Sequence, residues 1–351
     1  MTSDETRGAR MKIPFLQVHL PLEVQRAVDR TLVSGQIGPG LMCERFAEAL
    51  SDYTGAPYVL LTNSGTTALE VVLRAVFHRP TSVVVPVYGE SATARAVRRA
   101  GHMPIFVDVT PPPEPPRIDM QDLARMALGD YVSICTVNFS GNTDTYLGPE
   151  SRFVEDAACA IGHRASDGRH AGTLGLAGIL SFSPHKLVTT GQGGAAMFKE
   201  ADHYHRALDI VDPKRSSSNV AGNFRMCDLQ AAMGLAQLEL IDSLIGARCS
   251  TLIGDMTCLS GPPVHNIIFA ENSDEMLRGL FAENSDEVLR GLRAAGIDAR
   301  RPYGINDGFA EAGTYPNAER WKREAIFLPM GSGLTMSQCD YIRETAEQLR
   351  R

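Results

Sequence analysis

One lysine stands where this sequence could do carbonyl chemistry. Lys186 directly follows an apolar run and precedes a cluster of glycines in the stretch SFSPHKLVTTGQGG (181–194). In open α/β sheets, ligands bind beyond the carboxyl ends of the strands, so a lysine in that position faces a crevice. A partly desolvated lysine is an amine nucleophile that forms Schiff bases with carbonyl compounds or with pyridoxal phosphate. We therefore predict that Lys186 is catalytic.

Two further segments supply groups that pyridoxal phosphate needs. Asp156 closes the apolar run of RFVEDAACAIG, and a carboxylate beside the pyridine nitrogen keeps that nitrogen protonated, so that the ring serves as an electron sink. Ser64, Gly65 and Thr66 lie between a strand-like run and an amphipathic helical run in TNSGTTAL (62–69). Helix N-termini of this kind bind phosphate. Each feature alone also fits an ordinary helix cap, and it is the combination with Lys186 that indicates a cofactor site.

The elements that must position these groups follow an alternating pattern. From about residue 57 to 200, short apolar runs rich in β-branched residues alternate with amphipathic helical stretches. Strands this apolar, separated by helices, predict a mostly parallel sheet covered on both faces. The predicted fold class is α/β. The helical segment after Gly222 is expected to lead out of a large domain (1–235) into a smaller C-terminal domain (236–351).

Composition narrows the class of protein. The chain has 351 residues, 44% of them hydrophobic, and a formal net charge of -7, so nucleic acid and anionic membranes are poor partners. The seven cysteines are scattered without a C-x-x-C pair, which argues against a zinc site and a disulfide scaffold. No apolar run reaches the roughly 18 residues of a membrane span, and the N-terminus lacks the apolar region of a signal peptide. We expect a soluble cytoplasmic protein without a metal site.

A tandem duplication interrupts the C-terminal part. The segment FAENSDEMLRGL (269–280) is followed at once by FAENSDEVLRGL (281–292), and the two copies differ only at Met276 and Val288. A continuous helix would rotate the second apolar stripe by about 120° relative to the first. We therefore expect a break near Asn284, with Ser273 or Ser285 as an N-cap of a short helix.

Taken together, these motifs resemble the DegT-type sugar aminotransferase family of fold type I pyridoxal phosphate enzymes. The resemblance runs from about residue 12 to the C-terminus. The matching stretches are NSGTTALEVVLRA, VVVPVYGESATARAVRRAGHMPIFVDV, VEDAACAIG, SFSPHKLVTTGQGG and GNFRMCDLQAAMGLAQLELID. The resemblance implies a sheet of the aspartate-aminotransferase type, with a smaller C-terminal α+β domain.

The resemblance also implies roles for individual residues. Lys186 matches the Schiff-base lysine, and Asp156 matches the partner of the pyridine nitrogen. Ser181 matches the phosphate-binding serine, which acts together with Ser64, Gly65 and Thr66.

Asn223 and Arg225 of GNFRM match residues that reach the active site of a neighbouring subunit, with Asn223 directed towards the phosphate. The resemblance therefore implies a homodimer with shared active sites.

Several positions depart from the family pattern. Glu90 stands where the family usually stacks an aromatic ring on the cofactor, so either Tyr88 takes over or the ring has no aromatic lid. Cys159 replaces the usual glutamine or histidine near the cofactor's hydroxyl. The stretch RRPYG (300–304), with Tyr303, replaces the usual His-Tyr-Pro near the substrate. The cofactor chemistry looks intact, while the surroundings have changed.

His185 precedes Lys186 directly. Some members of the family carry a histidine in place of the lysine and dehydrate their substrate. Here the S-F-x-x-x-K spacing from Ser181 assigns the lysine position to Lys186. We expect His185 to contact the substrate instead, together with Arg225 and Tyr303.

The predicted activity is that of a pyridoxal phosphate-dependent aminotransferase. The resemblance implies glutamate as the usual amino donor, and a nucleotide-linked keto-sugar or a keto-cyclitol as the acceptor. Lys186 would serve as general base and acid for the proton shift. Two alternatives stay open. Glu90, Cys159 and the altered 300–304 stretch suggest an enzyme of elimination or replacement chemistry. The changed stacking position and the duplication keep open a non-catalytic scaffold or regulator.

Overall fold

The computed structural model describes most of the chain. The described residues are 12–16, 18–112, 114–126, 133–141, 143, 152–215, 221–250, 285–301, 303–308, 310–329 and 333–350. The helices among them are α1 (Leu22–Ser34), α2 (Leu41–Thr54), α3 (Gly65–Val76), α4 (Ser91–Arg99), α5 (Met120–Arg125), α6 (Ala201–Val211), α7 (Asp228–Leu238), α8 (Ile241–Ser250), α9 (Ser285–Ala294), α10 (Pro316–Glu324) and α11 (Met336–Arg350).

The strands are β1 (Tyr58–Thr62), β2 (Ser82–Pro86), β3 (Tyr88–Gly89), β4 (Met103–Val107), β5 (Ser133–Val137), β6 (Arg152–Asp156), β7 (Ala177–Ser181), β8 (Gly194–Phe198) and β9 (Gly304–Ile305). Seven of them form one sheet in the order β1-β8-β7-β6-β5-β2-β4. The neighbouring strands β4, β2, β5, β6 and β7 are parallel to one another, and β8 runs antiparallel to both β7 and β1. The predicted α/β class with a mostly parallel sheet is confirmed.

Helix α3 covers one face of the central sheet. The Ser64 hydroxyl caps the helix by accepting a hydrogen bond from the Thr67 amide at 3.1 Å. Nearly every α3 residue between Gly65 and Val76 is buried. A helix that is apolar on almost all sides belongs in a core, and α3 packs between β7 and β8 on one side and α4 and α6 on the other. The N-terminus of α3 therefore lies beside the carboxyl end of β7.

The opposite face is covered by α2 and α7. Phe46 and Leu50 of α2 pack with Ala231 of α7 against Leu180 of β7. Asp228, the first residue of α7, is 1% exposed. Its carboxylate accepts hydrogen bonds from the amides of Gly40, Met42 and Cys43, and so it satisfies the N-terminal amides of α2.

The C-terminal segment encloses a core of its own. Leu292 of α9, Ile342 of α11 and Ile297 pack together with Ile13 of the N-terminal arm. The backbone of Ile13 bonds to both Gly296 and Asp298 at 2.9 Å. The N-terminal arm is thus attached to the C-terminal segment.

Two expectations concern this region. The helix of the second repeat copy begins at Ser285, whose hydroxyl donates to the Arg323 carbonyl at 2.7 Å. Asn284 and the first copy (269–280) lie outside the described residues. Helix α7 runs through residue 235, and the predicted domain boundary there stays a prediction.

None of the helices in the described part of the chain is both long and apolar enough to cross a membrane.

Candidate functional site

A cavity of about 480 Å³ opens where the parallel strands end. Its wall includes Val137, Asp156 and Ser181, which are the last residues of β5, β6 and β7. The sheet therefore delivers three side chains to one crevice, as open α/β sheets do. The structure brings most of the predicted site residues to this wall: Ser64, Gly65, Thr66, Glu90, Asp156, Cys159, Ser181, His185, Lys186 and Tyr303.

Lys186 is held in the cavity by the turn that follows β7. Its side chain and backbone together are 9% exposed. Its amide donates to the Ser183 carbonyl at 3.0 Å, which closes the turn, and its Nζ donates to the Sγ of Cys159 at 2.6 Å. A lysine amine this enclosed is positioned for nucleophilic chemistry on a carbonyl group.

Asp156 is a buried carboxylate facing the same space. Thr93 Oγ1 donates to its Oδ2 at 2.6 Å, and the Ala158 amide donates to its Oδ1 at 3.2 Å. Burial raises the pKa of Asp156, while these two hydrogen bonds and the positive charge of Lys186 act in the opposite direction. A cationic group entering the cavity would favour the ionised carboxylate.

The N-terminus of α3 forms a cradle with the ends of two strands. A Cβ atom on Gly65 would lie 2.6 Å from the Cβ of Ser181, and one on Gly194 would lie 2.5 Å from the Ser64 carbonyl oxygen. Only glycine at both positions lets β7 and β8 approach the helix this closely. The first amides of a helix have no partner within the helix. Together with the Ser181 hydroxyl, they make this end of the cavity suited to an anion.

Tyr88 does not reach the cavity. Its ring is fully buried and packs 5.8 Å from the Tyr303 ring and 6.0 Å from the rings of Phe139 and Trp321, measured between centroids. Burial raises its pKa. Because the ring fills this aromatic core behind Tyr303, the structure does not place it as a replacement for the missing stacking residue. Glu90 and Tyr303 line the cavity instead.

Asn223 and Arg225 lie away from the described cavity wall. Arg225 Nε donates to Asn223 Oδ1 at 3.1 Å, and its guanidinium pairs with Asp212 at 3.4 Å. Their segment is fixed against the end of β1, because the Asn63 amide donates to the Phe224 carbonyl at 2.8 Å. Their expected contribution to a neighbouring subunit stays a prediction.

His185 lines the cavity as a neutral group. Burial, followed by the positive charges of Lys186 and Arg248, lowers its pKa to about 4. At neutral pH the imidazole is therefore uncharged, with one ring nitrogen donating and the other accepting. It is suited to a polar contact with a substrate hydroxyl.

Other wall residues come from the two ends of the chain, and the sequence interpretation did not single them out. The Arg300 guanidinium lies 4.6 Å from the centroid of the Phe15 ring and pairs with Asp298 at 2.6 Å. Phe15, Arg300 and Arg301 all line the cavity. The two arginines stand in the RRPYG stretch, whose departure from the family pattern is its only signal in the sequence.

Glu155, the residue before Asp156, is a second buried carboxylate. It has a structural role that the sequence does not reveal. It accepts hydrogen bonds from the Asn138 side chain at 3.0 Å and from the amides of Gly172, Leu174 and Gly175 at 3.1, 2.6 and 3.2 Å. Burial raises its pKa against these bonds. Glu155 therefore anchors the loop between β6 and β7 beside the cavity.

The donor set of the cavity fits pyridoxal phosphate. Lys186 offers an amine for the aldehyde, the buried Asp156 suits a protonated ring nitrogen, and the cradle at Gly65 and Ser181 suits the phosphate. All of these residues line the same cavity, and its volume of about 480 Å³ suits the cofactor.

Comparison with known proteins gives consistent matches. The sequence model of the DegT/DnrJ/EryC1/StrS aminotransferase family matches residues 20–347. A GDP-perosamine synthase of Caulobacter vibrioides is 32% identical over 239 residues, which are 64% of this chain and 63% of that protein. The aligned region thus spans just under two thirds of that relative's length.

Two solved structures share the fold over nearly the whole chain. Helicobacter pylori PseC, an aminotransferase involved in the biosynthesis of pseudoaminic acid, has a TM-score of 0.81 at 20% identity, covering 97% of this chain and 99% of that one. The sugar aminotransferase CalS13 of Micromonospora echinospora has a TM-score of 0.78 at 22% identity, covering 96% of this chain and 99% of that one.

Proposed function

The chain belongs to the DegT/DnrJ/EryC1/StrS aminotransferase family, and we propose that it moves an amino group from an amino acid to a ketone on a sugar or cyclitol. Its cofactor is pyridoxal phosphate. The observation that supports this most directly is the enclosure of the Lys186 amine in the cavity that also holds the buried Asp156 carboxylate.

The substrates follow from the same family membership. We propose glutamate as the amino donor. The acceptor is a keto-sugar, with a nucleotide attached as the name GDP-perosamine synthase implies for one relative, or a keto-cyclitol. Arg300 and Arg301 in the wall provide guanidinium groups for a carboxylate or phosphate of either substrate.

The cofactor would be held at three points. The amides at the start of α3 and the Ser181 hydroxyl would bind its phosphate, Asp156 would bind its ring nitrogen, and Lys186 would hold its aldehyde carbon. When bound, pyridoxal phosphate supplies a conjugated ring that takes up the electron pair released from the bond next to the substrate's amino group.

The protein's own groups move and hold the protons. With its amine free, Lys186 Nζ would remove a proton from one carbon and return it to another, as general base and acid. A protonated ring nitrogen facing Asp156 would favour the ionised carboxylate, because opposite charges offset the cost of its burial. The neutral His185 contacts substrate hydroxyls without adding charge.

We also propose a homodimer with shared active sites. Asn223 and Arg225 are ordered against the end of β1 but do not line the described cavity of their own chain. In this arrangement Asn223 would reach the phosphate end of the neighbouring cavity.

Half-reaction measurements test the proposed function. The purified, cofactor-loaded chain is mixed with glutamate and no acceptor, and both the cofactor spectrum and the release of 2-oxoglutarate are followed. We expect one equivalent of 2-oxoglutarate per site. We also expect loss of the absorbance band of the cofactor bound to Lys186, as the cofactor changes to its amine form. Keto-sugars or keto-cyclitols are then added singly, and the true acceptor restores the band.

Failure of every amino donor would overturn the proposal. Release of ammonia or of another leaving group, without a change to the amine form of the cofactor, would instead support elimination or replacement. A purified chain that takes up no pyridoxal phosphate would support a non-catalytic role.

A further inference from the structure

Cys159 lies between two groups of the cavity wall. Its Sγ accepts a hydrogen bond from Lys186 Nζ at 2.6 Å, and the Tyr303 hydroxyl also bonds to it. Cys159 follows β6 and Lys186 follows β7, and these strands are paired in parallel with Asp156 opposite Ile179. The paired strands therefore bring the two segments that follow them, and with them this sulfur and this nitrogen, to the same end of the sheet.

The sulfur of Cys159 is also accessible. Its residue is partly exposed and lines the cavity, so a small oxidant can reach it. Cys43 and Cys135 differ, because their Sγ atoms donate to backbone carbonyls and Cys135 is buried. Burial raises the pKa of Cys43 to about 12. Among the thiols that the structure describes, Cys159 is the one whose hydrogen-bond partner is a lysine amine.

We propose that Cys159 and Lys186 form an oxidisable pair, which hydrogen peroxide joins through a covalent sulfur–nitrogen bond. The cross-link itself follows from the geometry of the two side chains. Its consequence, loss of the amine that the cofactor needs, rests on the proposed function.

The reaction balances in two steps. The Cys159 sulfur attacks one oxygen of hydrogen peroxide, the O–O bond breaks, and the thiol proton leaves with the other oxygen as water, which gives a sulfenic acid. The Lys186 ammonium releases one proton to solvent, and the nitrogen lone pair then attacks that sulfur. The S–O bond breaks, and the hydroxyl leaves as a second water with one proton from the amine. The pair loses two hydrogen atoms in total, the peroxide is reduced, and a thiol reductant reverses the bond.

The state of Lys186 decides whether the second step occurs. A nitrogen engaged by the cofactor's aldehyde carbon has no free amine for the condensation. Chain loaded with pyridoxal phosphate is therefore protected, whereas chain from which the cofactor has been removed is open to the cross-link.

Peptide mapping tests the proposal on the full chain. The purified protein, with pyridoxal phosphate loaded or removed, is treated with hydrogen peroxide, quenched with catalase and digested without reductant. We expect a linked pair of peptides containing Cys159 and Lys186, lighter than their sum by two hydrogen atoms, in the cofactor-free sample. Its yield falls to background in the loaded sample, and dithiothreitol separates the pair.

Matched variants identify the atoms. Cys159→Ser keeps an acceptor for Lys186 but cannot form the bond, so the linked pair disappears. Cys43→Ser retains it. Conversion of Cys159 to sulfinic acid without any link to Lys186, or a link that joins Cys159 to other lysines equally well, would overturn the proposal. If the link forms but pyridoxal phosphate does not protect, the cross-link stands and the cofactor role of Lys186 fails.

Discussion

Gly65 at the start of α3 lies directly against Ser181 at the end of β7. A Cβ atom on Gly65 would be 2.6 Å from the Cβ and 2.8 Å from the Oγ of Ser181, closer than side-chain atoms pack. The two residues therefore set the distance between the helix N-terminus and the strand, and this distance defines the proposed phosphate cradle.

Gly65→Ala is expected to separate these elements and to weaken pyridoxal phosphate binding by about tenfold, or about 1.4 kcal/mol. Titration of the cofactor-free chain, followed by the cofactor's absorbance, measures the change. Gly38→Ala is the matched control, because a Cβ there meets nothing within 4 Å. Equal affinities of both variants and wild type would contradict the proposed cradle.

Lys186→Ala is expected to abolish covalent attachment of the cofactor. Borohydride reduction of the loaded protein should add the mass of reduced cofactor to wild type but leave the variant unchanged, because the variant has no amine at this position. The exposed Lys199 serves as control, and Lys199→Ala should be labelled like wild type. Labelling of the Lys186→Ala protein at another lysine would refute the assignment.

His170 should make the protein less stable in mild acid. Its Nε2 accepts from the Gly162 amide at 3.0 Å, Nδ1 bonds to the Ala171 carbonyl at 2.8 Å, and burial lowers its pKa from 6.5 to about 4. The unfolded chain therefore binds the proton at higher pH than the folded one. Stability falls as the pH drops from about 6.5 to about 4, by on the order of 3 kcal/mol for this group.

Denaturant unfolding across that pH range measures the effect of His170. His170→Gln, whose amide can donate and accept without titrating, should flatten the slope. A part of the slope should remain, since the pKa of His185 is also lowered to about 4. An unchanged slope in the variant would show that His170 does not contribute.

Glu155→Gln should destabilise the fold although it changes the volume very little. The carboxylate accepts four N–H groups, and an amide would turn its own donor towards some of them. We expect a loss of on the order of 3 kcal/mol in the free energy of unfolding. Asp167→Asn, an exposed position in the same loop, should cause no measurable loss. Equal stability of the two variants would contradict the anchoring role of Glu155.

Mixed dimers test the proposed sharing of active sites. Subunits with Lys186→Ala and subunits with Asn223→Ala should each be inactive alone. After unfolding and refolding together they should recover about a quarter of wild-type activity, because random pairing gives half mixed dimers with one intact site each. Absence of any recovery, while a mixture of wild type and Lys186→Ala stays active, would place Asn223 at its own chain's site.

The sequence was most informative where a chemical group directly follows an apolar strand. Asp156 ends β6 and Lys186 lies just beyond β7, so the strand pattern alone predicts that both lie at the carboxyl ends of the strands. Ser181, the last residue of β7, was identified only through the family resemblance. The α/β class was predictable for the same reason, because buried parallel strands are continuously apolar.

Partners that are distant along the chain were not predictable in this way. Asp228 and Glu155 bond to backbone amides, and every residue type except proline offers an amide, so no pattern of side chains marks the partner. Phe15 and Arg300 meet only because Ile13 pairs with the C-terminal segment. Tyr88 was one candidate for the stacking ring, but its position depends on the aromatic core formed with Trp321, far along the chain.

The neighbouring carboxylates at the end of β6 also bear on how the chain reaches its native register. Successive strand residues face opposite sides of a sheet, so Glu155 is held by the loop amides while Asp156 enters the cavity. A slip of β6 by one residue would exchange the two acids. The longer Glu155 would then reach the cavity, and the shorter Asp156 would be left among amides spaced for a glutamate. The different lengths of these two adjacent acids thus favour the native alignment of β6 over the alignment shifted by one residue.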